Sequence, residues 1–88
     1  MVYILLGEGF EEAEAILPAD LLRRAGVEVS LVGLEGPVVT GSHGIAVTAD
    51  VTLEQVDAEA MEMLVLPGGL GGVASIPVSY THLTLPTN

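Results

Sequence analysis

The segment VYILLGEGFEEAE, residues 2–14, decides the fold of this chain. Five apolar residues, 2–6, come before a Gly-Glu-Gly turn, which predicts a buried strand. From Phe10 onward the pattern is helical, with glutamates in the first turn and two arginines in the last, where they complement the helix dipole. Gly26 follows as the residue that ends the helix. The chain therefore opens with a strand, a tight turn and a helix.

Glu14 is the candidate functional residue of this helix. Steps of about 100° per residue place it on the same side as five apolar or small residues: Phe10, Leu17, Pro18, Leu21 and Ala25. Glu12 falls on the opposite side. We expect Glu14 to face the core, where desolvation would raise its pKa above about 4.3 and keep it protonated. The alternative is that Glu14 caps the helix or pairs with a neighbouring charge.

Pro18 lies inside the same helix. It has no amide to donate to the carbonyl of Glu14, so we expect a kink there. A freed carbonyl beside a buried acid is a feature that functional sites tolerate more often than plain scaffolds do.

Composition limits the classes of function. The 88 residues carry 12 acids and 2 arginines, a net charge of −10, and no lysine. Nucleic acid and anionic membrane both require a basic surface, so we exclude them as partners. No cysteine is present and the two histidines have no ligand spacing, so we expect no metal and no other cofactor. With no secretion or membrane signal, we expect a cytoplasmic protein.

The next segments alternate as in an α/β protein. Residues 27–33 predict a second strand, parallel to the first, and residues 38–40 and 45–48 predict a hairpin around Gly41-Ser42-His43-Gly44. Thr52 and Gln55 predict a capped helical turn. Residues 62–66 predict a third parallel strand that runs into Pro67-Gly68-Gly69.

The Pro-Gly-Gly loop is the second candidate feature. Loops at the carboxyl ends of parallel strands are where α/β sheets place their sites, and glycine amides there could hold an oxyanion. The alternative is an ordinary glycine turn. Residues 7–12 do not complete a dinucleotide-binding glycine pattern, and Ser42 and His43 lack an aspartate that would complete a serine triad.

Residues 76–88 differ in character from the rest. They contain no acid, no glycine and no helical period, and they resemble translated sequencing-adapter read-through joined to a broken gene. We expect residues 1–75 to be the N-terminal part of a domain and 76–88 to be a non-native tail. The alternative is a genuine edge strand with a tail.

Three segments together resemble the ThiJ/PfpI superfamily, in the branch of the parkinsonism-associated deglycase and the bacterial ThiJ proteins. They are residues 4–14 (ILLGEGFEEAE), 18–26 (PADLLRRAG) and 65–69 (VLPGG). The resemblance implies a flavodoxin-like, class I glutamine amidotransferase-like α/β fold, a parallel sheet with flanking helices. In this chain it would be truncated to an N-terminal fragment.

The resemblance also implies roles for individual residues. Glu14 would be the protonated acid that hydrogen-bonds a catalytic cysteine, and Gly68 and Gly69 would line the pocket. Arg24 and His43 would lie near the interface of a homodimer or contact an anion. Activities described in the family are glyoxalase and deglycase reactions on methylglyoxal or on glycated protein and nucleotide, and redox-responsive chaperone action.

This chain departs from the family because it has no cysteine. We therefore expect a fragment of a cysteine-dependent glyoxalase or deglycase that is itself inactive. The alternative is a non-catalytic chaperone-like or interaction module that uses exposed apolar edges. A nucleotide-binding flavodoxin-like domain is disfavoured because no basic residue lies near the glycine loops.

Overall fold

The apolar run at the amino terminus forms the central strand of the molecule. The structure, a computed structural model, describes residues 1–68. In chain order the elements are β1 (Val2–Leu6), α1 (Glu12–Arg24), β2 (Val29–Gly33), β3 (Val38–Thr40), β4 (Ala46–Thr48), β5 (Val51–Thr52), a 3-10 turn (Leu53–Gln55) and β6 (Met63–Val65). All five residues of β1 are buried, as predicted.

Four strands form a parallel sheet in the order β5-β2-β1-β6. Ile4 of β1 lies opposite Leu31 of β2 on one side and Val65 of β6 on the other. The first and third predicted strands are thus neighbours in the sheet, and the carboxyl ends of β1 and β6 lie at the same edge. The predicted α/β class with a parallel sheet is confirmed.

The alternation of side chains along β1 supplies both faces of the sheet. Val2, Ile4 and Leu6 point to the side covered by α1 and the hairpin, where they pack with the other buried residues of that face: Phe10, Ala15, Ala19, Leu31, Val39 and Val65. Tyr3 and Leu5 point to the opposite side. That side is covered by the segment around the 3-10 turn.

The predicted hairpin is formed by β3 and β4, which pair antiparallel with Val39 opposite Val47. Two backbone hydrogen bonds tie it to the turn between β1 and α1. Gly9 donates to the carbonyl of Thr40 at 2.9 Å, and the amide of Ser42 donates to the carbonyl of Phe10 at 2.8 Å. The hairpin tip is therefore held against the start of the helix.

Helix α1 ends as predicted. Ala25 is its C-cap, and Gly26 follows with φ of +83°, a conformation that favours glycine. Pro18 lies inside the helix, and the kink expected there stays a prediction. Within residues 1–68 no helix is long and apolar enough to cross a bilayer. The cytoplasmic location also stays a prediction.

Candidate functional site

Helix α1 packs on the sheet through the side opposite to the predicted one. Glu12, Ala15 and Ala19 are buried, whereas Leu17 and Leu21 are 57% and 56% exposed. Glu14 is exposed. The expectation that Glu14 faces the core was wrong, because the helix approaches the sheet through its small alanines and directs Leu17 and Leu21 away from it.

Glu12 is the buried acid of this structure, with a relative exposure of 7%. Its Oε2 accepts hydrogen bonds from the backbone amides of His43 at 2.8 Å and Ile45 at 3.2 Å. Its Oε1 lies 3.0 Å from Nδ1 of His43, and the hydroxyl of Ser42 donates to it at 3.5 Å. One carboxylate thus joins the first turn of α1 to the hairpin tip.

The protonation of Glu12 follows from these contacts. Burial by itself would raise the pKa of the carboxyl. The hydrogen bonds from the backbone amides of Glu12, His43 and Ile45 and from the His43 ring outweigh it and lower the pKa of Glu12 to about 2. Glu12 is therefore an anion at neutral pH, in contrast to the protonated acid that the sequence argument placed on this helix.

His43 is the titratable side chain that faces this anion. The hydrogen bond and the charge of Glu12, followed by the charge of Glu11, raise the pKa of His43 above its usual value. Ser42 Oγ lies 3.1 Å from Nδ1 of His43. Both the hydroxyl and the carboxylate therefore contact the same ring nitrogen, whereas a serine triad places them on opposite nitrogens of the imidazole.

The contact between Glu12 and the hairpin tip requires glycine at position 41. A Cβ at this position would overlap the carboxyl group of Glu12. That carboxyl cannot move away freely, because two backbone amides hold it. Glycine at the start of the hairpin tip thus permits the close approach of the loop to α1.

Glu14 contacts the loop that the sequence singled out. The amide of Gly68 donates to Oε1 of Glu14 at 2.8 Å, and the amide of Glu11 donates to the carbonyl of Gly68 at 2.8 Å. Glu14 also lines an open depression of about 440 Å³ with Ala13, Leu17 and Pro18. The first turn of α1 and the loop after β6 are therefore one structural unit.

A side chain at position 68 would disturb this unit. A Cβ there would lie 2.7 Å from Oε1 of Glu14 and 3.3 Å from Cγ of Glu11. Gly69, the other predicted pocket glycine, lies outside the described residues, as do residues 76–88. The boundary at residue 75 stays a prediction.

The two arginines at the end of α1 have different surroundings. Arg24 is 75% exposed and pairs with Asp20 one turn earlier, at 3.0 Å. Arg23 donates to Asp50 at 2.7 Å, and the same Asp50 oxygen accepts the amide of Leu31 at 2.8 Å. Arg23 and Asp50 therefore connect the helix to β2.

Sequence reasoning missed Glu12 and Gly41 as partners. A signal was present, since Ala15 and Ala19 lie three and seven residues after Glu12 on one helix face. Two small residues on one face indicate close packing against a sheet, but the larger apolar residues of the other face outweighed them in the periodicity argument.

A model of the DJ-1/PfpI family matches residues 1–82 of the chain. The chain belongs to the DJ-1/PfpI family. The predicted membership of the ThiJ/PfpI superfamily is confirmed.

Relatives within the DJ-1/PfpI family support the assignment. The chain is 44% identical over 70 residues to protein dj-1beta of Drosophila melanogaster, covering 78% of this chain and 37% of that protein. It is 38% identical over 68 residues to a deglycase of Thermococcus kodakarensis, covering 77% and 41% respectively. The chain thus spans about two fifths of the length of these curated relatives.

Solved DJ-1 structures share the fold. The crystal structure of Drosophila melanogaster DJ-1beta superposes with a TM-score of 0.78 at 41% identity, covering 84% of this chain and 40% of that one. A cysteine-to-alanine mutant of a DJ-1 superfamily protein from Salmonella typhimurium gives a TM-score of 0.77 at 41% identity, with coverage of 84% and 40%. The predicted flavodoxin-like fold, truncated in this chain, is confirmed.

Proposed function

We propose that this chain carries the acid and glycine-loop part of the site of a DJ-1-type glyoxalase or deglycase. Glu14 is the acid, and the loop at Gly68 holds it. The hydrogen bond from the amide of Gly68 to Oε1 of Glu14, at 2.8 Å, carries the proposal. It brings together the two features that the family resemblance singled out, at the carboxyl end of a parallel strand.

The surroundings of Glu14 support this role. The side chain is exposed and lines a depression with the apolar residues Ala13, Leu17 and Pro18. A thiol that covered this depression would meet the carboxyl on an otherwise apolar surface. Such cover would remove water from the carboxyl and favour its neutral form, which can donate a hydrogen bond to a thiolate.

The amide of Gly68 is already used in this arrangement. It donates to Glu14, so Gly68 positions the acid in the described structure. The role of Gly68 and Gly69 in holding an oxyanion stays a prediction.

We further propose that the 88-residue chain is inactive, because its sequence contains no cysteine to act as nucleophile. The substrates of the intact parent would be methylglyoxal or glycated protein and nucleotide, consistent with the deglycase names of several relatives. No cofactor is required for this chemistry.

Lactate formation from methylglyoxal tests the proposal. The purified chain should give no more lactate than buffer, and Glu14→Gln should behave identically. Turnover by the purified chain that Glu14→Gln abolishes would overturn the proposed inactivity. The genomic sequence around codon 76 tests whether the intact parent gene encodes the catalytic cysteine. Once the nucleotides that encode the tail are removed, the reading frame should continue to a cysteine codon. A native stop codon after codon 88 would contradict the proposed parent.

A chaperone-like or interaction module is the second candidate function, and the aliphatic surface of the chain favours it. Leu17, Leu21, Val38 and Ile45 are all more than half exposed. Suppression of client aggregation by monodisperse chain, lost in Leu17→Ser/Leu21→Ser, would support this function. Equal suppression by the variant would contradict it.

A homodimer of the intact parent remains part of the proposal. Arg24 and His43, placed near the interface by resemblance, have side chains that are 75% and 73% exposed. Their exposure leaves both available to a partner subunit. Light scattering of the full parent with Arg24→Ala/His43→Ala should show more monomer than the unchanged parent.

A further inference from the structure

Four potential metal-ligand atoms converge between the first turn of α1 and the hairpin tip. They are carboxylate oxygens of Glu11 and Glu12, Nδ1 of His43 and the hydroxyl of Ser42. Ligand atoms of the two glutamates and the histidine all lie within 4.8 Å of one another. Two of these ligand atoms are carboxylate oxygens, one is a hydroxyl oxygen and one is a ring nitrogen, so the set mixes oxygen and nitrogen ligands.

The spacing of these atoms matches a small coordination shell. Zn²⁺ binds nitrogen and oxygen at about 2.0–2.2 Å, which in tetrahedral or octahedral geometry separates neighbouring ligands by about 2.8–3.6 Å. Nδ1 of His43 lies 3.0 Å from Oε1 of Glu12 and 3.1 Å from Oγ of Ser42. Oγ of Ser42 lies 3.3 Å from Oε1 of Glu11 and 3.5 Å from Oε1 of Glu12. These four of the six spacings within the set fall in the expected interval.

The buried ligand is already oriented by groups outside the set. Oε2 of Glu12 accepts the backbone amides of His43 and Ile45, which leaves Oε1 directed at the histidine ring. Hydrogen bonds from groups that do not themselves bind the metal orient ligating carboxylates in metal sites. Glu12 would therefore lose no side-chain freedom on binding a cation.

Space for further ligands is available beside the set. An open cavity of about 490 Å³ is lined by Glu11, Glu12, Ala13, Ile16, His43 and Ile45. Water or an external ligand could occupy the coordination positions on that side. The net charge of −10 raises the local concentration of cations around the whole chain.

We propose that Glu11, Glu12 and His43, assisted by the hydroxyl of Ser42, bind a divalent transition cation of the Zn²⁺ class. Sequence patterns alone predicted no metal site, because the chain contains no cysteine and its two histidines have no ligand spacing. The fold brings residues 11–12 and 42–43 together across about 30 positions. This site does not involve Glu14 or Gly68, so it stands independently of the proposed acid and glycine loop, and it shares only His43 with the proposed dimer interface.

Calorimetric titration of the purified 88-residue chain with Zn²⁺ alone tests the site. We expect one ion per chain, and we expect His43→Asn and Glu11→Gln each to weaken binding by roughly tenfold or more. His82→Asn is the matched control, because it removes the other histidine and should leave binding unchanged. Both ligand variants alter exposed or half-buried side chains, and circular dichroism verifies that they fold.

The ¹H–¹⁵N spectrum locates the ion within the chain. Zn²⁺ should shift the amides of His43 and Ile45, which bond the ligating carboxylate, more than the amide of Glu59. Absence of binding by the unchanged chain, binding that survives His43→Asn, or binding lost in His82→Asn would overturn the proposal. Cobalt(II) absorption gives a second readout, in which the visible bands should disappear with His43→Asn.

Discussion

The carboxylate of Glu12 accepts a hydrogen bond from the backbone amide of His43 at 2.8 Å, across 31 positions of sequence. This contact and its partner at Ile45 fix the hairpin tip to the first turn of α1. The same turn holds the loop after β6 through Glu11 and Glu14. Residues 11–14 therefore join two loops that are distant in sequence, and several measurable consequences follow from that geometry.

Removal of the Glu12 carboxylate should destabilise the chain. Glu12→Ala leaves the amides of His43 and Ile45 without their acceptor, whereas Glu12→Gln keeps one carbonyl oxygen for them and replaces the other, with its charge, by an NH2 group. The midpoint of thermal unfolding should therefore fall most for Glu12→Ala and less for Glu12→Gln. Exposed Glu59→Ala is the control and should change little. Equal midpoints for Glu12→Ala and Glu59→Ala would show that the hydrogen bonds of Glu12 do not contribute to stability.

Stability should depend on pH through the same pair of residues. The pKa of Glu12 is lowered to about 2 in the folded chain. Its contribution to the free energy of unfolding is therefore complete above about pH 4.5 and disappears as the pH falls through about 2. The pKa of His43 is raised, so its contribution is complete below about 6.5 and is lost as pH rises through the higher folded value. The stabilising contributions of Glu12 and His43 are both complete only between about pH 4.5 and pH 6.5.

Urea unfolding from pH 2 to 9 checks these two limits. His43→Asn should abolish the loss on the alkaline side, and Glu12→Gln should reduce the loss on the acid side. If His43→Asn retained the full alkaline loss, another group would be responsible for it.

Gly41→Ala should cost about 1–3 kcal/mol, the usual range for overpacking, because the added Cβ overlaps the Glu12 carboxyl. In a Glu12→Ala background that overlap is gone, so most of the cost should disappear. A double-mutant cycle by urea unfolding measures the difference. An identical cost in both backgrounds would place the strain elsewhere.

Asp50 should contribute more to stability than its ion-pair partner Arg23. Asp50→Ala leaves the amide of Leu31 without its acceptor, which costs about 1–3 kcal/mol. Arg23→Ala removes an ion pair between half-exposed side chains, worth about 0.2–1 kcal/mol. Asp50→Asn, which retains an oxygen for the amide of Leu31, is the matched control. A larger loss for Arg23→Ala than for Asp50→Ala would contradict this order.

Sequence patterns predicted three of the four parallel strands, the helix and the hairpin, because each combines an apolar run or period with a glycine at one end or both. They missed β5, since its two residues, Val51 and Thr52, are too few to show any period. Thr52 and Gln55 were placed correctly: the amide of Thr52 donates to the Gln55 side chain at 2.8 Å, at the start of a 3-10 turn.

The site was predicted in part. The family resemblance placed Glu14 and the glycine loop in one site, and the structure shows a hydrogen bond between Glu14 and Gly68, while their role in a site stays a prediction. The periodicity argument exchanged the buried and exposed faces of α1. Periodicity measures where large apolar side chains recur, and in this helix small residues face the sheet. The partners of Glu12 lie about 30 positions away, beyond any local pattern.

The contact between Glu14 and Gly68 can be tested directly by amide hydrogen exchange at Gly68. The amide should exchange several-fold more slowly in the unchanged chain than in Glu14→Ala, while Glu62→Ala should retain the protection. Exchange at Gly68 that is equally fast with and without the Glu14 carboxylate would contradict the assignment of this acid to the glycine loop.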